Sequence, residues 1–121
     1  MKKEINLETW KRKSHFEFFS AMEEPFYGVT VEIDVTKAYE KAKELKTSFF
    51  IYYLHATLKT MNELPAFRLR IDNRKVYEHD RIDASSTVMK ANETFGFSHI
   101  IYNDDYNVFA KSVQKEIERV K

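Results

Sequence analysis

Few residues in this chain could do chemistry, and they are scattered. Four histidines, His15, His55, His79 and His99, lie twenty or more positions apart, so none has the local spacing of paired zinc ligands. With no cysteine in the sequence, thiolate nucleophiles, disulfides and cysteine-bound metals are excluded. Gly28 and Gly96 are isolated, so no glycine-rich loop can cradle a phosphate. Asp104 and Asp105 are adjacent carboxylates, but they precede an amphipathic run and suit a helix cap better than acid/base work. Lys3, Lys11, Arg12 and Lys13 make a modest basic cluster of the kind that usually lies in solvent. What remains is aromatic. Ten Phe and seven Tyr are present, and Phe95 and Phe97 flank Gly96, so on a strand both rings point to one face. That is the chemistry of a binding wall or of a dense core.

The elements that must position this wall run from Pro65 to Phe97. Phe67, Leu69 and Ile71 alternate with Arg68 and Arg70, the period of a half-buried strand. Asp72-Asn73 is turn chemistry, Lys75–Glu78 is a second short strand, and a loop with Asp80 and Asp83 follows. Ser86–Ala91 and Thr94–Ile101 read as two more strands joined at Asn92-Glu93. The flanking chain supplies helices. The first is expected from Trp10 to about Met22, capped by Asn6 or Thr9, with His15, Phe18, Phe19 and Met22 on one face. Tyr27–Val35 alternates as a strand with Val29, Val31, Ile33 and Val35 buried. A helix is expected over Thr36–Lys46, then a longer one over Phe49–Leu64 capped by Ser48. That helix is apolar on most sides and so is expected at the centre of the core, with His55 in a structural or partner-facing role. Asp104 or Asp105 caps a last helix whose Tyr106, Phe109, Val113, Ile117 and Val120 form one stripe. The predicted class is α+β: two layers, a mostly antiparallel sheet packed against helices.

Composition sets outer bounds. The 121 residues suggest one domain. Charged residues make up 32% with a formal net charge of +1, which offers no field for nucleic acid or an anionic membrane. No signal segment or membrane span is evident, so a cytoplasmic protein is expected. The last helix meets no Gly, Asn or Pro stop signal, which suggests the N-terminal portion of a larger domain.

Trp10-Lys11-Arg12-Lys13-Ser14-His15-Phe16-Glu17-Phe18-Phe19 resembles the opening of the chloramphenicol acetyltransferases. Ile33-Asp34-Val35-Thr36, the aromatic helix from Phe49, Phe67-Arg68, Asp80, Thr87-Val88 and Glu93-Thr94-Phe95 follow in family order, so the likeness covers residues 5–121. It implies a member of the CoA-dependent acyltransferase fold that moves acetyl from acetyl-CoA to a hydroxyl of a small apolar acceptor such as chloramphenicol. It further implies a homotrimer with active sites between subunits, no metal, and a role in drug resistance. In the family a His-His-x-x-x-Asp-Gly histidine is the general base and a serine stabilises the oxyanion. Both belong to the family's second half and neither is in this sequence, so no catalytic residue is assigned and the chain alone is expected to be inactive.

By the same resemblance Phe18, Phe19, Tyr27, Ser85, Phe95 and Phe97 fall at acceptor-pocket positions. Arg12 matches the arginine that supports the catalytic loop; with its aspartate partner absent it is either buried unpaired, which is costly, or an exposed helix arginine. Ser48 stands where some members carry a lysine near the coenzyme phosphates, and Ile51 replaces a common proline. The alternative reading is a non-catalytic protein that binds a small ligand or a partner. Either way, open strand edges and many aromatics predict self-association.

Overall fold

Ser48 begins the principal helix, and local chemistry sets the boundary. Its backbone is extended and its hydroxyl accepts from the Ile51 amide at 3.1 Å, satisfying a donor that a helix start leaves free. A computed structural model describes all of residues 1–121. In chain order it contains β1 (Lys2–Glu4), α1 (Lys13–Ser20), α2 (Thr36–Glu44) and α3 (Phe49–Glu63). A 3-10 turn at Pro65–Arg68 leads to β2 (Leu69–Asp72), β3 (Lys75–His79), β4 (Ala84–Met89), β5 (Phe95–Ile100) and α4 (Tyr106–Val120). This is the expected α+β arrangement of helices and antiparallel strands.

The strands form two sheets rather than one. The first has order β1-β3-β2 and the second is the β4-β5 hairpin, all pairs antiparallel. The β2-β3 loop is Asn73-Arg74, both with positive φ, the backbone that matches strand twist in a two-residue hairpin. β4 and β5 are joined by a loop in which the Asn92 side chain accepts from both the amide and the hydroxyl of Thr94.

The core is small. Ile51 and Leu58 from α3, Ile100 from β5, and Phe109 and Val113 from α4 form one buried cluster. It fixes α3 and α4 against the inner face of the hairpin. Asp105 caps α4 by accepting from the Asn107 and Val108 amides at 2.8 and 3.1 Å, as its position before an apolar stripe suggests. The Asn62 side chain reaches from α3 to both backbone groups of Ile82, which fixes the entry to β4.

Several expectations fail for physical reasons. Tyr27–Val35 forms no strand, and its alternating apolar residues are exposed; no strand of either sheet pairs with it. The first helix covers only Lys13–Ser20, because Asn6 accepts from the Glu8 amide and turns the preceding chain. Its Phe18 and Phe19, and Met22 just beyond it, are exposed, since no element covers them. Phe67 and Arg68 lie in the 3-10 turn that Pro65 starts, so β2 begins at Leu69. α3 buries one stripe, Ile51, His55 and Leu58, rather than most of its surface. β1 was not foreseen; its three residues pair with β3, too short a run for periodicity to register.

Candidate functional site

Directly opposed residues of an antiparallel pair share a face. In the hairpin Ser85 faces His99, Thr87 faces Phe97 and Met89 faces Phe95. These six side chains therefore form one outward row, while Ser86, Val88, Gly96, Ser98 and Ile100 turn toward the helices. Phe95 and Phe97 remain 59% and 70% exposed, with ring centroids 5.7 Å apart at 90°, the edge-to-face geometry aromatic pairs favour. The Ser85 hydroxyl donates to the Ser98 carbonyl at 2.8 Å, which fixes it across the strand pair.

A polar cluster closes one end of this row. Asp83 Oδ1 accepts from the Tyr102 amide at 2.8 Å and meets Arg81 Nε at 3.2 Å. Asp83 Oδ2 stands 3.8 Å from His99 Nε2. On the outer side of β5 the His99 amide donates to Glu116 at 2.7 Å, and Arg119 pairs with the same carboxylate while reaching the Phe97 carbonyl at 3.4 Å. Arg119 first, then the His99 amide, hold the Glu116 carboxyl down at about 2. Asp104 is held below the usual carboxylate range by Lys59 and then by the Tyr102 hydroxyl.

The other expected site residues lie elsewhere. Phe19 and Tyr27 line a separate hollow of about 250 Å³ with Met22, Pro25 and Phe26. Phe18 packs edge-on against Phe19 with centroids 5.2 Å apart. No ring contact joins this group to Phe95 and Phe97. Arg12 is exposed at the start of α1 and makes no ion pair, the second of its two expected states. His55 is buried, with Nε2 3.0 Å from the Asn103 carbonyl and its ring among Tyr102, Tyr106 and Phe109, a structural role. Thr87, Met89 and His99 were missed as members of the outward row. Counting by twos from Ser85 and from Phe95 finds all three.

The chain is thus α+β, with α3 and α4 behind the β4-β5 hairpin and an aromatic row on the hairpin's outer face. The chloramphenicol acetyltransferase family model matches residues 2–121, and the chain belongs to that family. It is similar to the chloramphenicol acetyltransferase of Klebsiella sp, 27% identical over 114 residues, covering 93% of this chain and 52% of that protein. Chloramphenicol acetyltransferase 3 of Escherichia coli is 23% identical over 118 residues, covering 97% of this chain and 55% of that protein. A solved chloramphenicol acetyltransferase superposes with a TM-score of 0.92 at 35% identity, covering 100% of this chain and 57% of that one. The chain thus spans about half the length of the relatives it matches.

Proposed function

We propose that this chain supplies an acceptor-binding wall to an acetyl-CoA-dependent O-acetyltransferase acting on a small, largely apolar alcohol such as chloramphenicol. The observation that carries the reading is the outward row of Ser85, Phe95 and Phe97 in a chain of this family. Two crossed phenyl rings offer apolar area at little conformational cost, and a hydroxyl beside them can orient a polar substituent. Phe18, Phe19 and Tyr27 would extend the wall once the two aromatic groups are brought together, and Arg12 would support a neighbouring catalytic loop.

In the reaction the acceptor hydroxyl oxygen attacks the thioester carbonyl carbon, the carbon–sulfur bond breaks, and the hydroxyl proton passes to a base. None of the four histidines here is assigned that base. His55 is committed to the Asn103 carbonyl, and no two histidines are adjacent. The start of α3 offers chemistry suited to coenzyme phosphates: a hollow of about 380 Å³ lined by Lys46, Thr47, Ser48, Lys111 and Gln114, with a helix N-terminus pointing into it. Assembly as a homo-oligomer in the cytoplasm completes the proposal; no helix is long and apolar enough to cross a membrane.

The test is a titration of the 15N-labelled chain with chloramphenicol. Shifts confined to Ser85–Met89 and Phe95–His99 are expected, and Phe97→Ala should weaken binding by roughly tenfold, the scale of one aromatic contact. Shifts elsewhere, or none, would overturn the acceptor role. A parallel thiol-release assay with acetyl-CoA should show only background for the chain alone. If the row binds chloramphenicol but adding the second half of a relative restores no release, the non-catalytic binding reading replaces transfer.

A further inference from the structure

The outward row of the β4-β5 hairpin changes character along its length. At the loop end Met89 faces Phe95 and Thr87 faces Phe97; at the other end Ser85 faces His99. The His99 side chain is 72% exposed, yet the residue is held from two directions. Glu116, itself paired with Arg119, accepts from its amide at 2.7 Å. On the ring side Asp83 Oδ2 stands 3.8 Å from Nε2, and Asp83 is anchored by the Tyr102 amide. The outward polar atoms at this end are alike in what they offer. A serine hydroxyl has one proton and two lone pairs. Ser85 donates its proton to the Ser98 carbonyl at 2.8 Å, so toward a ligand it can only accept. A neutral imidazole carries one proton, and the ring nitrogen that faces a carboxylate is the one that holds it. For His99 that nitrogen is Nε2, which leaves a lone pair on Nδ1. Asp83 is a carboxylate and accepts only; Arg81, the cation beside it, is paired with it at 3.2 Å.

We propose that His99 is a specificity-determining residue of the acceptor wall. With Ser85 it selects acceptors that carry a hydrogen-bond-donating group, a hydroxyl or an amide N–H, about 7 Å from an aromatic or other apolar body. The inference rests on the reading of the outward row as an acceptor wall. The spacing follows from register, because Phe97 and His99 are two positions apart on β5 and a strand rises about 3.3 Å per residue. An apolar body over Phe95 and Phe97 then brings its donor to the lone pairs of Ser85 Oγ and His99 Nδ1. A substituent that can only accept, such as an ether oxygen, meets lone pairs there and forms no bond.

Titration of the 15N-labelled chain with cinnamyl alcohol and with cinnamyl methyl ether tests this, since the two share a rigid apolar body and differ in the hydroxyl proton. The alcohol should bind roughly fivefold tighter, the scale of one hydrogen bond. His99→Ala should remove that preference and leave the affinity for the ether unchanged. His99→Asn, whose side-chain oxygen accepts, should keep part of the preference, whereas His99→Lys, which can only donate, should abolish it. A histidine that merely held the hairpin would not separate Asn from Lys. Because the ring is exposed, the amides of Ile100 and Phe109 should be unshifted in all three variants. Equal affinities in the unaltered chain, or a preference that survives His99→Lys, would overturn the assignment. If both compounds still shift the Phe95 and Phe97 amides in that case, the wall itself stands. Failure of both compounds to shift any amide of the row overturns the wall and the assignment together. A preference for the alcohol without thiol release on adding the second half of a relative keeps His99 in its role and rejects transfer.

Discussion

Asn62 offers a direct test of how the aromatic row is held in place. Its amide nitrogen donates to the Leu58 carbonyl at 2.9 Å and to the Ile82 carbonyl at 3.0 Å, while its oxygen accepts from the Ile82 amide at 2.9 Å. One side chain thus satisfies both backbone groups of a buried residue just before β4. Asn62→Ala strands both. An orphaned polar group costs about 1–3 kcal/mol when buried; Asn62 is only part-buried, so the lower half applies, about 2–4 kcal/mol for the pair. Alanine returns roughly 0.5 kcal/mol through its better helix propensity. The net expectation is a loss of about 1.5–3.5 kcal/mol, or a fall of roughly 5–15 °C in Tm for a domain of this size. Urea denaturation followed by far-UV circular dichroism would measure it. Thr60→Ala is the control, because that hydroxyl bonds only the Ala56 carbonyl of its own exposed helix face and should change stability by under about 0.5 kcal/mol. Should Asn62→Ala lose no more than Thr60→Ala, the clamp would not be what fixes the entry to β4.

Arg74 adopts a positive φ in the β2-β3 loop and makes no side-chain contact that repays it, so Arg74→Gly should raise stability by about 0.5–1 kcal/mol in the same assay. Ser48→Ala removes the cap of α3 and should cost about 1 kcal/mol; retention of full stability would show that the helix start is held otherwise. Phe109 is fully buried, and Phe109→Ala should cost roughly 3–5 kcal/mol, enough to unfold a small core. Arg119 and the His99 amide hold the Glu116 carboxyl down at about 2, well below the ordinary glutamate range, so its contribution is complete above the ordinary glutamate pKa and fades as pH falls toward 2. Glu116→Gln should therefore flatten the stability profile in that acid window, and an unchanged slope would refute its coupling to Arg119 and His99.

The parts of this chain that read correctly from sequence are those whose determinants are local. Ser48 and Asp105 are caps with an apolar run behind them, and both start helices as expected. The β5 face follows from period two, so Phe95 and Phe97 are placed on one side without any tertiary information, whereas Ser85 came only from the family resemblance and joins them through register. Burial was not local. Val29, Val31 and Ile33 carry the pattern of a half-buried strand, and the pattern describes what they need rather than what this chain provides. The same holds for Phe18 and Phe19 on α1 and for Met22 just beyond it. Pro65 illustrates a competing local rule, since its fixed φ suits the first position of a helical turn and overrode the alternation at Phe67-Arg68. The outward row was half legible: its aromatic members stood out by type, whereas Thr87 and His99 are ordinary residues whose membership comes only from register.

The two kinds of exposed strand in this molecule carry different physical meanings. On β5 the outer backbone groups are already bonded by side chains of α4, and that pairing leaves the aromatic rings pointing outward without inviting another strand. A face built this way suits a small molecule, because its contacts come from side chains alone. Phe26–Asp34 has the opposite character: no backbone hydrogen bonds, alternating apolar side chains and no guarding charge on its apolar face. A surface of that kind is satisfied by polypeptide and not by a small ligand. The two surfaces therefore differ in what they present, side chains at Ser85–His99 and open backbone at Phe26–Asp34. Tyr27 lines a separate hollow with Phe19.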